Sequence, residues 1–316
     1  MTEQTQTFEP VQWEVVADGL RFPEGPVACS DGCVLLVEIA RGTLSRVASD
    51  GTVSVGAECG GGPNGAAVGP DGAVYVTNNG GCFEWIDIGI TLPGPVPDSY
   101  LGHGSLQRVD PATGEVTTLY TECDGRPLRA PNDLVFDAHG GCYFTDHGLR
   151  LERSSDRTGV FYAQPDGSAV SEVVFPLDAP NGVGLSPDGA VLHVAETHTG
   201  RLWTWHVDGP GEVHGDGMVD AKGALLHGAP GYQLFDSLAV DGEGWVCVGT
   251  LGNGGITAVS PDGGQVEFHP VAGDPIVTNI CFAADGSSTA YVTSSATGRL
   301  LRGTWPRPGL ALANSI

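Results

Sequence analysis

Basic side chains are scarce in this sequence. Its 316 residues include 14 Lys and Arg against 38 Asp and Glu, which gives a formal net charge of −24. Lys222 is the only lysine. Because such a chain repels phosphate backbones and anionic lipid, neither nucleic acid nor a membrane surface is an expected partner. Most of the carboxylates serve solubility, and their combined field favours cations.

Long apolar runs and paired cysteines are also missing. No segment approaches the ~20 apolar residues that a membrane span needs. Residues 1–10 are polar and lack the basic and apolar stretches of a signal peptide. The eight cysteines form no CxxC pair, and Cys142 and Cys247 lie inside apolar strand patterns. The sequence therefore predicts buried thiols in a reducing environment and a cytoplasmic location.

A helical apolar period is absent, whereas a strand pattern recurs. Apolar runs bounded by Gly, Pro and Asp form six related units, and each unit opens on a residue with a side-chain oxygen. These anchor residues are Glu24, Asn64, Asn132, Asn181, Asp236 and Asn279. Their spacings of 40, 68, 49, 55 and 43 residues suit units of about four short strands.

The repeat predicts an all-β fold, a six-bladed β-propeller that occupies residues 1–316 as a single domain. Segment 12–19, QWEVVADG, lies outside the first full unit. We expect this N-terminal strand to close the ring by pairing with segment 298–305, GRLLRGTW, in the last blade. A solenoid is the alternative, but it needs polar capping repeats, whereas a closed ring removes exposed edges.

Convergence of the anchor residues predicts a cation site. The first strand of each propeller blade lines the axis, so the anchors should meet at one mouth of the channel. The second strand is antiparallel, so the residues at its end should form a rim at the same mouth. These rim residues are Glu38, Asn78, Asn79, Asp146, His147, Glu196, His198, Thr250 and Ser294.

Two interpretations of the anchors compete. An Asn before Gly is often a simple turn former, but several oxygen-bearing side chains in a confined channel need water or an ion. Carboxylate and amide oxygens without Cys or a His pair favour the hard ions Ca²⁺, Mg²⁺ and Mn²⁺ over Zn²⁺. We therefore predict one divalent cation, with Ca²⁺ as first choice and Mg²⁺, Mn²⁺ or Zn²⁺ as alternatives. An ion that only plugs the channel is the other reading of the same ring.

In their order and spacing these motifs resemble the regucalcin/gluconolactonase family, also called the senescence marker protein and gluconolactonase superfamily. The resemblance runs from FPEGP at 22–26 to TNICF at 278–282. It implies a six-bladed propeller that hydrolyses sugar lactones with one divalent metal in the channel. It also implies that the metal ligands are Glu24, Asn181 and Asp236, and that Asn132 contacts the substrate or a metal-bound water.

One position departs from that resemblance. Relatives often carry a substrate-binding Arg two residues before the Asn that matches Asn132, whereas this chain has Ala130 there and Arg126 and Arg129 slightly earlier. Arg129 and Asn64 complete the set of candidate substrate contacts. An insertion at residues 80–104 is expected either to fold over the mouth as a lid or to form a surface loop.

The expected reaction is the opening of a lactone ring by water, with the metal as Lewis acid. Asp236 is one candidate general base, although a bound cation lowers its pKa, and His147 and His198 are the others. No GxSxG motif occurs, so no acyl-enzyme is expected. The alternatives are a metal-dependent esterase, phosphotriesterase or non-sugar lactonase, and a calcium-binding propeller without catalysis. The predicted partner is a small lactone, and the predicted state a monomer or weak oligomer.

Overall fold

The computed structural model describes residues 9–218 and 220–316. Within them the chain forms 29 β-strands and one 3₁₀ turn at Asp220–Lys222. No helix in these ranges is long and apolar enough to cross a membrane. The strands make six sheets of four or five strands and two small hairpins.

The first three blades follow strand β1 (Glu14–Ala17). Blade 1 contains β2 (Pro23–Ala28), β3 (Val34–Glu38), β4 (Thr43–Val47) and β5 (Val53–Glu58). Blade 2 contains β6 (Pro63–Val68) and β7 (Val74–Asn78), then, after an inserted hairpin of β8 (Trp85–Asp87) and β9 (Thr91–Pro93), β10 (Ser105–Val109) and β11 (Val116–Tyr120). After a hairpin of β12 (Glu122–Cys123) and β13 (Arg126–Pro127), blade 3 contains β14 (Pro131–Phe136), β15 (Cys142–Asp146), β16 (Thr158–Ala163) and β17 (Val170–Leu177).

The last three blades complete the circle. Blade 4 contains β18 (Pro180–Leu185), β19 (Val191–Glu196), β20 (Arg201–Gly209), β21 (Glu212–His214) and β22 (Ala224–Gly228), the last two both paired with β20. Blade 5 contains β23 (Leu234–Val240), β24 (Val246–Leu251), β25 (Gly255–Val259) and β26 (Val266–Pro270). Blade 6 contains β27 (Val277–Phe282), β28 (Thr289–Ser294), β29 (Arg299–Thr304) and β1. The first strand of every blade contacts the first strands of both neighbouring blades, which confirms a six-bladed β-propeller.

The N-terminal strand closes the ring. Strand β1 pairs antiparallel with β29, so that Glu14 lies opposite Arg302 and Val15 opposite Leu301. This confirms the pairing predicted from the sequence. The ladder joins the two ends of the chain in one sheet, and opening the ring requires breaking its hydrogen bonds.

The core lies between neighbouring blades. Val37 of blade 1 and Val76 of blade 2 are fully buried and belong to one apolar cluster that joins the two sheets. All eight cysteines are buried free thiols. They pack as small apolar side chains, as their position in strand patterns predicts.

Glycine after an anchor residue allows the first strands of neighbouring blades, which we call the inner strands, to approach each other closely. A Cβ at Gly182 in β18 would lie 2.5 Å from the backbone nitrogen of Leu238 in β23. A Cβ at Gly65 in β6 would lie 2.7 Å from the carbonyl oxygen of Asn132. These Asn-Gly pairs therefore stand inside strands rather than in turns, and the glycine serves close packing at the axis.

The inserted hairpin crosses the mouth of the channel. It leaves blade 2, and the N–H of Thr91 donates to the carbonyl oxygen of Ala296 in blade 6 over 2.9 Å. The ring of Trp85 lies 4.9 Å from the ring of Phe22 in blade 1. Of the two arrangements expected for the insertion, the structure shows the lid, which we define as residues 80–104.

Candidate active site

A cavity of about 280 Å³ lies under the lid. Five of the six anchor residues form its inner end: Glu24, Asn64, Asn132, Asn181 and Asp236. His147 and His198, which follow the second strands of blades 3 and 4, line its side. Sequence-predicted residues from five blades therefore meet in one enclosed space.

Glu24 is held firmly through one carboxylate oxygen. Its side chain is 2% exposed. Oε2 accepts hydrogen bonds from the N–H of Gly25 and, over 2.8 Å, from Nδ2 of Asn279. Oε1 is buried and has no hydrogen-bond partner. Because an unpaired buried carboxylate oxygen is costly, Oε1 is the oxygen of Glu24 best placed to bind a cation.

Asn279 differs from the other anchor residues. Its Nδ2 donates to Glu24, and its Oδ1 accepts from the backbone N–H of Ile280 over 2.8 Å. It does not line the cavity under the lid. Asn279 therefore meets the other anchors through Glu24, which its carboxamide positions, and it is not one of the three predicted ligands.

Three carboxyl groups cluster near the axis. Burial raises the pKa of Glu24 to about 7. Burial also raises the pKa of Asp236, and the nearby charges of Glu24 and Asp133 raise it further. Within the described residues none of the three forms an ion pair with Lys, Arg or His. A divalent cation would remove the cost of ionising these groups side by side.

Of the three amide side chains at the inner end, Asn181 is oriented by its neighbours in blades 4 and 5. Nδ2 of Asn181 donates to Oγ1 of Thr197 over 3.1 Å, and its Oδ1 accepts from Oγ of Ser237 over 3.2 Å. This turns the amide oxygen toward blade 5, which carries Asp236. Oδ1 of Asn132 is buried without a hydrogen-bond partner. Both amide oxygens are ligands of the kind that hard cations prefer.

The donor set fits a hard divalent cation. Glu24 and Asp236 supply carboxylate oxygens and Asn181 supplies an amide oxygen, the combination typical of Ca²⁺ sites. A second group of metal-ligating types lies at the β2–β3 turn, where single ligand atoms of three residues fall within 4.8 Å of one another: Cys29, Asp31 and Cys33. There, Asp31 already pairs with Arg46 at 2.5 Å, and burial raises the pKa of both thiols. The channel is the better candidate.

His147 and His198 lie edge to face, with ring centroids 5.7 Å apart. Nδ1 of His147 lies 3.1 Å from the carbonyl oxygen of Gly148, which assigns the proton to Nδ1 and leaves Nε2 as an acceptor. Burial lowers the pKa of His147 and lowers that of His198 to about 4. Both rings are therefore neutral at pH 7, the state in which an imidazole can accept a proton.

Arg129 supports the lid and does not line the cavity. Its Nε lies 3.1 Å from a carboxylate oxygen of Asp156, and NH1 donates to the carbonyl oxygen of Gly102 over 2.5 Å. The guanidinium also lies over the ring of Tyr100, 5.9 Å from its centroid. Arg126 pairs with Glu172 instead. Ala130 lines the cavity, but neither Arg126 nor Arg129 does, so neither arginine replaces the substrate-binding Arg of the relatives in this structure.

Several predicted rim residues fasten the backbone instead of facing the cavity. Four of them accept a hydrogen bond from the N–H of the segment that enters the first strand of the same blade: Glu38 from Arg21, Asn78 from Gly62, Asp146 from Arg129 and Glu196 from Asp178, over 2.6–3.0 Å. Thr250 and Ser294 bond to Thr257 and Asp274. All nine residues therefore lie at the predicted mouth, beside the start of the first strands. Only Asn79, His147 and His198 line the cavity.

Asp133 is a buried carboxyl group that sequence reasoning missed; it does not line the cavity, but its charge acts on Asp236. It follows the anchor Asn132, at the position that Gly occupies in blades 1, 2 and 4. Its carboxylate accepts hydrogen bonds from the N–H groups of Leu134, over 2.9 Å, and Val183, over 3.2 Å. The replacement of Gly by Asp after the anchor could have indicated this residue. A carboxylate at that position must lie between the first strands of neighbouring blades.

Fold and site together define a class: six-bladed propellers with a group of carboxylate and amide side chains at one end of the axial channel. The chain belongs to the SMP-30/gluconolactonase/LRE-like family, whose model matches residues 22–296. This confirms the family that the motifs resemble.

Comparisons with individual proteins agree with the family. The chain is 28% identical over 314 residues to a gluconolactonase of Zymomonas mobilis, an alignment that covers 89% of this chain and 78% of that protein. A gluconolactonase structure from Xanthomonas campestris superposes with a TM-score of 0.73 at 21% identity, covering 94% of this chain and 90% of the other. The calcium-binding protein regucalcin from Agrobacterium tumefaciens gives 0.70 at 17% identity, with coverages of 96% and 97%. At these identities the two structures show the shared fold alone.

Proposed function

We propose that this protein is a metal-dependent lactonase. The observation that carries the proposal is the group of carboxylate and amide oxygens at the inner end of the cavity, where Glu24 Oε1 and Asn132 Oδ1 are buried and unpaired. Membership of the SMP-30/gluconolactonase/LRE-like family supports it, as does the similarity to a gluconolactonase over most of the chain.

Glu24, Asn181 and Asp236 would hold one divalent cation. Ca²⁺ is the first choice because all three donors are oxygens, and two carboxylates offset a charge of +2. A bound cation supplies Lewis-acid polarisation of the lactone carbonyl.

The residues of the chain supply the remaining chemistry. Water adds to the carbonyl carbon and gives its proton to Nε2 of His147, the free acceptor on the cavity wall. The imidazolium then returns the proton to the ring oxygen as the C–O bond breaks, so that one water is consumed and a hydroxy acid is formed. His198 packs against His147, and Asn132 and Asn64 are assigned to substrate or water. Asp236, as a ligand, is the weaker base.

Chelation and restoration test the proposal. The protein is stripped with EDTA, and proton release is followed at constant pH over a panel of lactones before and after Ca²⁺, Mg²⁺, Mn²⁺ or Zn²⁺ is added. We expect turnover to vanish on stripping and to return with a divalent cation. Undiminished turnover after exhaustive chelation would exclude the mechanism, and cation binding without turnover of any lactone would favour a non-catalytic binding protein.

Two variants and a control distinguish the loss of a metal ligand from a change in the net charge of the chain. Glu24→Gln and Asp236→Asn should each lose both cation binding and turnover. Glu243→Gln, at an exposed position in the β23–β24 turn, changes the net charge equally and should keep both.

A further inference from the structure

We infer that the substrate is a lactone whose ring carries a hydrocarbon substituent, in preference to the hydroxyl groups of a sugar lactone. This inference rests on the proposed function, and it concerns the walls of the same cavity. The inner end binds the reacting carbonyl, whereas the walls contact the rest of the substrate and set its class.

The cavity walls are mostly apolar. Hydrocarbon side chains from blades 1, 3 and 5, from the segment that enters blade 6 and from the lid line them: Phe22, Ile39, Phe83, Val96, Leu149, Leu234, Leu251 and Ile276. None of these side chains can donate or accept a strong hydrogen bond. Hydroxyl groups pressed against such a wall lose their hydrogen bonds to water without replacement. A hydrocarbon substituent gains free energy by leaving water at the same place.

The lid backbone, like the apolar lid side chains, offers few hydrogen-bond donors to the hydroxyl groups of a sugar. Pro93 and Pro95 line the cavity and have no backbone N–H. The N–H of Gly94 between them donates to the carbonyl oxygen of Glu84 over 2.7 Å. The stretch 93–95 therefore presents no free donor to a substrate hydroxyl.

Four of the six polar wall residues outside the inner end are gathered on one side; the other two are Asn79 of blade 2, whose Nδ2 is buried without a hydrogen-bond partner, and Thr278 of blade 6. His147, Arg150, Thr197 and His198 all belong to blades 3 and 4. In a ring of six blades these face blades 6 and 1, where Phe22 and Ile39 are buried. A lactone bound with its carbonyl at the inner end points a substituent on the far side of its ring outward, toward the lid residues Phe83 and Val96.

The apolar wall is a fixed surface. The ring of Trp85 contacts the rings of Phe22 and Phe83, with centroids 4.9 and 6.1 Å away. The bond from Thr91 to Ala296 ties the hairpin to blade 6. Phe83 and Val96 are thus held over the site. The cavity volume of about 280 Å³ is just below the ~300–1,000 Å³ typical of small-molecule sites. A small lactone with a short alkyl chain suits this volume.

Three lactones with the same six-membered ring test the inference: δ-valerolactone, which has no substituent, δ-decalactone, which carries a pentyl chain, and glucono-δ-lactone, which carries hydroxyl groups. With Ca²⁺-loaded protein we expect kcat/KM for δ-decalactone to exceed that for glucono-δ-lactone by about 100-fold. Phe83→Ala should lower kcat/KM for δ-decalactone about 10-fold and leave δ-valerolactone within about 2-fold. Val96→Thr, which keeps the volume and adds a hydroxyl, should act in the same direction.

Controls keep the outcomes distinct. Ile88→Ala changes an exposed residue at the hairpin tip and should alter no substrate, and Ca²⁺ titration of each variant should give the wild-type affinity. Faster hydrolysis of glucono-δ-lactone than of δ-decalactone would overturn the inference while the lactonase stands. Equal loss for all three lactones in Phe83→Ala would remove the specificity role of the lid. No turnover of any lactone by the Ca²⁺-loaded protein would overturn the proposed function itself.

Discussion

Gly182→Ala tests how closely the inner strands must approach to build the site. The new Cβ would lie 2.5 Å from the backbone nitrogen of Leu238, and 2.8 Å from both the carbonyl oxygen of Asp236 and the carbonyl carbon of Ser237. All three are backbone atoms, so the clash is relieved only by moving β23 away from β18. Overpacking of this kind costs roughly 1–3 kcal/mol, and the upper end applies because no flexible side chain can yield.

That cost converts into a measurable change in melting temperature. At about 2.1 cal/mol/K of unfolding entropy per residue, a chain of this length loses roughly 5 °C for 3 kcal/mol. The strand that moves carries Asp236, so Ca²⁺ affinity should fall by at least about tenfold, which is about 1.4 kcal/mol. Thermal melting with and without Ca²⁺, together with calorimetric titration, measures both effects.

Gly228→Ala is the matched control, because a Cβ at Gly228 meets no atom within 4 Å and its φ angle is ordinary. We expect that variant to melt and to bind Ca²⁺ like the wild type. If Gly182→Ala also melts within about 1 °C of the wild type and binds Ca²⁺ equally well, the close-packing argument is refuted.

Three further predictions concern single side chains. In chelated protein Glu24→Gln should raise the free energy of unfolding, by little at pH 5 and by up to about 3 kcal/mol at pH 8, because ionising a carboxyl whose pKa is raised from 4.5 to about 7 penalises the folded state as pH rises through that window. Urea unfolding at both pH values measures this, and equal stability at pH 8 contradicts it. His147→Gln should lower kcat at least about 100-fold without changing Ca²⁺ affinity. A His147→Gln variant that keeps its rate would exclude this base. The wild-type rate should fall only below pH 6.5, because burial lowers the pKa of His147. Arg129→Ala should raise KM and speed proteolysis within the lid, since it removes the bonds to Gly102 and Asp156, and unchanged proteolysis would show that other contacts hold the lid.

The blades and their order were predictable because the pattern that encodes them is local. Apolar strands, Asp-Gly turns and an anchor residue recur along the chain, and the second strand must return to the mouth where the first begins. The same reasoning brought Glu24, Asn181 and Asp236 together across blades 1, 4 and 5, and the structure places all three at the inner end of the cavity.

The partners of individual polar side chains were not predictable, because they are chosen by tertiary contacts. Asn279 looks like Asn181 in the repeat, yet it donates to Glu24 of the neighbouring blade. Arg129 is adjacent to the expected position of a substrate-binding arginine, yet Asp156 and Gly102 occupy its guanidinium. The insertion carries no sequence signal for what it covers, since its position over the mouth depends on contacts with blades 1 and 6.

Location of the cation tests the central claim most directly. Crystals grown with Ca²⁺ and measured at a long X-ray wavelength would show the ion by its anomalous scattering. We predict one strong peak in the channel, about 2.3–2.6 Å from oxygens of Glu24, Asn181 and Asp236. A channel without such a peak, or a peak found only at the turn that carries Cys29, Asp31 and Cys33, would contradict the account.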